Sequence, residues 1–238
     1  MIDFGFHNMD CMEGMKEFPD NYFDLAIVDP PYGINAANMS MGTNKVRTKG
    51  GSPSVSTADR LRKGRLNQGA GKLKNRILNT ANCDWDMCPP NREYFNELFR
   101  VSKNQIIWGG NYFDLPPTRG IIVWDKKQPW DNFSQVEMAW TSYDRPASIF
   151  RMANYAPGKI HPTQKPIALY EWLLNKYAKA DDKVLDTHVG SASSLIACHR
   201  THHKFVGFEI DPVYYQEAKK RLDAETAQMN IFDFIERT

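Results

Sequence analysis

The stretch Leu25-Ala26-Ile27-Val28-Asp29-Pro30-Pro31-Tyr32-Gly33 restricts the fold of this chain more than any other. Four apolar residues in a row, two of them β-branched, run directly into an acid, two prolines and a glycine, which predicts a buried parallel strand with an abrupt end. Neither proline can donate to a sheet ladder, and Pro31 keeps Pro30 out of helical geometry. The chain after Val28 must therefore leave the sheet as a stiff, extended elbow. That elbow holds a carboxylate, backbone carbonyls and an aromatic ring at the carboxyl end of a strand, where open α/β sheets hold their ligands. An isolated Asp-Pro-Pro is also an ordinary tight turn after a core strand, so the remaining chain has to decide between the two.

Charge narrows the choice. The chain carries only +2 in total, yet residues 36–83 hold ten bases, Lys45, Arg47, Lys49, Arg60, Arg62, Lys63, Arg65, Lys72, Lys74 and Arg76, against the single acid Asp59. This segment is thus +9 and the remainder −7, an asymmetry that points to a polyanionic partner. The segment is rich in Gly, Ser, Thr and Asn and poor in aromatics, so it is expected to be a mobile loop insertion in the free protein, rooted beside the elbow and able to close over a phosphate backbone. A merely solvated linker would not need such one-sided charge.

The 238 residues suffice for one α/β domain, 1–238, with insertions. No apolar run approaches membrane-spanning length, and Met1-Ile2-Asp3-Phe4-Gly5 lacks a secretion-signal profile, so the expected location is the cytoplasm, with no membrane partner. Cys11, Cys83, Cys88 and Cys198 match no zinc spacing and are read as reduced thiols; no metal is required.

Along the chain, Met12, Met15 and Phe18 fall at helical spacing behind Asp10, which predicts a short helix with Asp10 as its cap. A core helix is predicted over Asn91–Val101, then buried strands over Gln105–Trp108 and Gly120–Lys126 that end on the same sheet edge as Asp29. Residues 127–160 read as irregular, with aromatics interleaved with Lys127, Arg145 and Arg151. Such a mixture suits either an extruded base or the packing of a small subdomain, and both readings stand. His161-Pro162-Thr163-Gln164-Lys165-Pro166 opens an amphipathic helix; His161 has no metal partners at suitable spacing.

Residues Lys183 to Ala197 read as strand, small-residue loop and helix, in which Gly190 and the small side chains after it let helix-start N–H groups approach a ligand. Phe205-Val206-Gly207-Phe208-Glu209 then makes a strand ending in an acid suited to ribose hydroxyls. There is no GxGxxG loop, which disfavours NAD.

These motifs, Asp29-Pro30-Pro31-Tyr32 first and the Asp186 to Glu209 pair later, together resemble the amino-group DNA methyltransferases in the circularly permuted order of the β group. The resemblance implies a Rossmann-like methyltransferase fold with a central, mostly parallel sheet, carrying the basic loop insertion 36–83 and a small target-recognition region at 127–160. It implies S-adenosylmethionine as cofactor, held by Asp10, Cys11, Asp29, Lys165, Asp186, Thr187, Gly190, Ser191, Ser193 and Glu209, with Asp29, Pro30, Pro31 and Tyr32 catalytic. It implies DNA as partner, contacted by the ten bases of the loop, and, since related enzymes often pair, a homodimer as one expected assembly. The Asp-Pro-Pro-Tyr form is more typical of adenine-N6 enzymes than of cytosine-N4 ones. The alternatives are cytosine-N4 methylation, RNA adenine methylation, or a non-catalytic nucleic-acid-binding protein that keeps the cofactor fold. The chain departs from the family where His188-Val189 and Ala192 stand in place of the usual phenylalanine and second glycine; the alanine is expected to be tolerated.

Overall fold

A computed structural model describes residues 2–34, 86, 88–128, 134–154, 159–161 and 163–235. The basic insertion 36–83, with all ten of its Lys and Arg residues, lies outside the described residues.

In chain order the elements are β1 (Gly5–Asn8), α1 (Cys11–Lys16), β2 (Leu25–Val28), α2 (Arg92–Val101), β3 (Gln105–Trp108), β4 (Ile121–Asp125), β5 (Val136–Thr141), β6 (Ser148–Arg151), α3 (Ile167–Tyr177), β7 (Lys183–Asp186), α4 (Ser193–Arg200), β8 (Lys204–Glu209) and α5 (Pro212–Ile235). The strands form one eight-stranded sheet, β1-β8-β7-β2-β3-β5-β4-β6, in which β5 alone runs antiparallel to its neighbours. This is the mostly parallel, Rossmann-like arrangement that the motifs imply.

Strand β2 is buried along its whole length, as a continuous apolar run requires when both sheet faces are covered. Leu25 and Ile27 face a core with Trp108, Trp124 and the α3 residues Leu169 and Leu173. Ala26 and Val28 face Met15, Tyr94 and Leu98 of α1 and α2 on the opposite side. Full burial of a Leu, Ile or Val side chain contributes roughly 1.5–3 kcal/mol, so β2 anchors the sheet centre.

The centre is also the switch point. From β2 the chain proceeds through α2 to β3 on one side, and from β7 through α4 to β8 on the other, so the carboxyl ends of β2 and β7 border the crevice where such sheets bind ligands.

One segment differs from its sequence reading. Residues 127–160 contain β5 and β6, which complete the sheet beyond β3, so this interval is not irregular throughout. Its alternation is short and broken: Ala139 and Thr141 point into the core while Val136 and Met138 on the reverse face stay exposed, which hides the strand period behind an apolar outer face. Among the described residues, no helix is long and apolar enough to cross a membrane.

Candidate active site

The elbow after β2 is fixed at both ends. Its acid accepts the Tyr32 hydroxyl at Asp29 Oδ1 (2.6 Å), and the Gly33 N–H donates to Asp86 (2.9 Å). Tyr32 stacks on Tyr112, with ring centroids 4.9 Å apart and 14° between planes. The approach is close because Gly109, at φ 68°, has no side chain to collide with the Tyr32 ring. Burial and the adjacent Asp29 charge push the Tyr32 hydroxyl well above its ordinary range, so it stays a proton donor to Asp29.

The second Asp29 oxygen, Oδ2, accepts from the Lys165 ammonium at 2.5 Å. Lys165 is 2% exposed at its side chain and lies 3.1 Å from Glu137 Oε2, with the Trp108 ring 5.2 Å below. Glu137 in turn pairs through Oε1 with Lys126. Burial works against each of these charges, but they offset it for one another: Asp29 and Glu137 hold the Lys165 ammonium above its ordinary value, and Lys165 and Lys126 hold the Glu137 carboxyl below its own. Lys159 lies at the rim of this cluster, bonded to Asn154, and is pushed down to about 8 by burial and by Lys126.

On the other side of the crevice, Asp186 ends β7 and is buried. Its Oδ1 accepts from the His188 N–H (3.0 Å) and its Oδ2 from the Ser194 hydroxyl of α4. Burial pushes this carboxyl up to about 7, with the Asp29 and Glu209 charges adding to the rise, so Asp29 and Asp186 lie within electrostatic reach of each other. The Gly190 N–H donates to Glu209 Oε2 (2.9 Å) and the Asp211 N–H to Oε1 (3.0 Å), which fixes the acid at the end of β8 and raises no need for a counter-cation. A Cβ on Gly190 would come no closer than 3.6 Å to the His161 ring, so the loop mouth is walled by an imidazole that burial drives down to about 3 and keeps neutral.

The remaining residues named from the sequence fall as follows. Asp10 caps α1, accepting from the Met12 N–H at 2.7 Å, and α1 follows β1, whose end pairs with Glu209. The neighbouring Cys11 thiol is raised to about 12 by burial and is not reactive. Thr187 is buried and bonds the Tyr94 hydroxyl (2.6 Å) and His188 Nδ1 (2.9 Å). Ser191 and Ser193 share a bond of 3.1 Å, and Ser193 also meets Arg221 of α5, so this hydroxyl faces the helix pair and Ser194 is the one that reaches Asp186. Pro30 is buried and Pro31 partly so. Pro162 and the loop bases lie outside the described residues.

Three contributors escape the sequence reading. Tyr94 reads as helix core, Glu137 sits in a segment read as irregular, and His161, set aside as a metal ligand, is given no role of its own within the hexapeptide before α3; of these, Glu137 carried a signal, as a lone acid among the apolar residues of a short strand. Ala192 takes the left-handed conformation, φ 59°, at the start of α4 while wholly buried, so the position usual for glycine keeps glycine's backbone in this chain at a cost of about 1–2 kcal/mol. Among the described residues, no cluster of His, Cys, Asp or Glu has the makings of a metal site.

An acid-proline elbow and a glycine loop facing one another across the switch point of a Rossmann-like sheet define a methyltransferase-type architecture. A DNA methylase profile, N6_N4_Mtase, matches residues 23–220. The chain belongs to this N6/N4 DNA methylase family. It is 29% identical to the type II methyltransferase M2.DpnII of Streptococcus pneumoniae over 150 residues, 63% of this chain and 52% of that protein, so it spans about half the length of that relative. The fold is shared with the M1.HpyAVI–SAM complex (TM-score 0.56, 19% identity, covering 91% of this chain and 98% of that one). It is shared also with the cytosine-N4-specific PvuII DNA methyltransferase (TM-score 0.55, 15% identity, 95% and 91% covered).

Proposed function

We propose that this protein is an S-adenosylmethionine-dependent DNA methyltransferase that modifies N6 of an adenine extruded from the duplex. The observation that carries the reading is the adjacency of β2 and β7, which sets the Asp29 elbow beside the Asp186–Gly190 loop and Glu209. The residues fit the cofactor: Glu209, anchored by two backbone N–H groups, keeps lone pairs for ribose hydroxyls. When bound, S-adenosylmethionine supplies an electrophilic methyl group.

The N6 lone pair of adenine is delocalised into the ring and attacks poorly. Asp29 and the Pro30 carbonyl would each accept one amino hydrogen, drawing the nitrogen toward tetrahedral geometry and aiming its lone pair at the methyl that the bound cofactor would supply; the sulfonium would leave as the neutral thioether, and the surplus amino proton would pass to the Asp29 carboxylate and on to water. Tyr32 offers its face to the base once Tyr112, which is 46% exposed, swings off it. The bases of 36–83 hold the phosphates, and residues 127–160 contribute to target choice. The Asp-first tetrad favours adenine over cytosine. The extruding step and the restriction-modification setting follow from the same family resemblance.

The test is incubation with radiolabelled S-adenosylmethionine and, separately, mixed DNA or RNA, followed by digestion to nucleosides, with Asp29→Ala in parallel. The expected result is label in N6-methyladenine and, for Asp29→Ala, bound cofactor with almost no transfer. Label in N4-methylcytosine or in RNA would replace the adenine reading, and undiminished transfer by Asp29→Ala would remove Asp29 from its role.

A further inference from the structure

We propose that Glu137 is a positioning residue that provides a second seat for the Lys165 ammonium, releasing Asp29 to accept the substrate amino group. The inference rests on the methyl-transfer reading above and deepens it.

Both oxygens of Asp29 are already engaged in this structure, Oδ1 by the Tyr32 hydroxyl and Oδ2 by Lys165. A carboxylate acting as acceptor for an incoming amine hydrogen has to give up at least one of these partners or share it. Lys165 cannot retreat into water, because its side chain is 2% exposed and enclosed by Trp108. Among the described residues, the other acid in contact with it is Glu137.

Glu137 Oε2 is suited to receive it. The atom is buried and already lies 3.1 Å from Lys165 Nζ as an ion pair, short of well-aligned hydrogen-bond geometry, so a second carboxylate stands beside the ammonium ready for a better-aligned bond. A lysine has three donors, and a small rotation of Nζ exchanges the Asp29 bond for the Glu137 bond while the ion-pair count stays at two cations and two carboxylates. Lys126, fixed over the Trp124 ring at 5.3 Å, holds the opposite oxygen and keeps the carboxylate aimed. The backbone places it there: Glu137 pairs with Trp124 in the β4–β5 register, and because β5 runs antiparallel its first residues lie at the same edge as the ends of β2, β3 and β4. Without a negative charge at 137, Asp29 would be the carboxylate left in contact with the buried Lys165 ammonium, and Lys165 would be pinned to it.

The experiment uses the full chain, a DNA that accepts label in the assay above, and the variants Glu137→Gln, Glu137→Asp and Asp29→Ala. Single-turnover transfer, KM for DNA and cofactor, and the melting temperature are measured for each. Glu137→Gln is expected to lower kcat on the order of tenfold to a hundredfold with KM for both substrates within about twofold of wild type, and Glu137→Asp, which keeps the charge, to recover part of the loss. Wild-type kcat in Glu137→Gln, beside an inactive Asp29→Ala, overturns the second seat and leaves the methyl-transfer reading intact. Undiminished transfer by Asp29→Ala overturns that reading and the inference with it. Equal losses in Gln and Asp variants, accompanied by a raised KM for the cofactor or a lowered melting temperature, make Glu137 a structural residue and overturn the inference as well.

Discussion

Gly109→Ala tests whether the Tyr32–Asp29 contact is built by close approach. Gly109 adopts φ 68°, where alanine costs about 1–2 kcal/mol. Its Cβ would lie 2.2 Å from Tyr32 Cε1 and 2.6 Å from Cδ1 and Cζ, whereas carbons rest at roughly 3.5–4.0 Å, so the ring must retreat by about 1 Å or more. That movement disturbs the 2.6 Å bond to Asp29 and the stack on Tyr112 together. With overpacking added, the loss of stability is expected at about 2–4 kcal/mol. An error of 1 Å at the acceptor carboxylate is expected to slow transfer on the order of a hundredfold. Single-turnover transfer and urea unfolding measure the two effects. Gly190→Ala is the control for stability: its φ of 55° carries the same backbone cost, but its Cβ would meet nothing closer than His161 at 3.6 Å, so it should lose only the strain. Wild-type transfer by Gly109→Ala, with a stability no lower than that of Gly190→Ala, would refute the crowding argument.

Other changes separate the cofactor side from the elbow. The unfolded chain binds a proton at His188 below about 6.5, while burial lets the fold accept it only at about 4, so stability is lost as pH falls through that window. His188→Phe should therefore lose less stability than wild type between about pH 7 and about pH 5, by on the order of 2 kcal/mol in paired urea titrations. Asp186, raised to about 7, acts in the opposite direction in both proteins and cancels in the comparison. Tyr94→Phe removes one buried bond to Thr187, whose hydroxyl still has His188, and should cost about 0.5–1.5 kcal/mol with the cofactor affinity little changed by calorimetry. Ala192→Val places a branched side chain in a wholly buried left-handed position and should cost about 3 kcal/mol in chemical unfolding, a loss that Ala192→Gly should not show.

How much of this was legible in the sequence depended on whether the signal was local. Strand β2 and its abrupt end follow from nine consecutive residues, because a run buried on both faces needs no partner to be recognised and prolines end it by covalent geometry. The Asp10 cap was similarly readable, being a short-range device at a helix end. Strands β5 and β6 were not, since they are short and their outer faces carry Val136, Met138 and Ile149, which erase the alternation that marks a half-exposed strand. Pairings across the chain were invisible in principle. Lys165 was expected near the cofactor by resemblance, and in the fold its ammonium lies on Asp29 and Glu137, residues from two other strand ends that no spacing rule connects.

The distribution of charge in the site follows from the sheet itself. Strands β2 and β7 are buried along most of their length and β8 through its middle, so polar side chains are accommodated where each strand enters or leaves the sheet, and parallel pairing puts all three exits on one edge. Asp29, Asp186 and Glu209 are the residues found there. Three acids gathered at one edge repel one another, and the fold answers each differently: Glu209 with backbone N–H groups, Asp186 with a hydroxyl and a raised affinity for its proton, and Asp29 with a buried lysine. Of the three solutions only the last can be undone by moving one flexible side chain. On the proposed mechanism, the carboxylate that changes partners is therefore the one paired with a cation that has a second acid to go to.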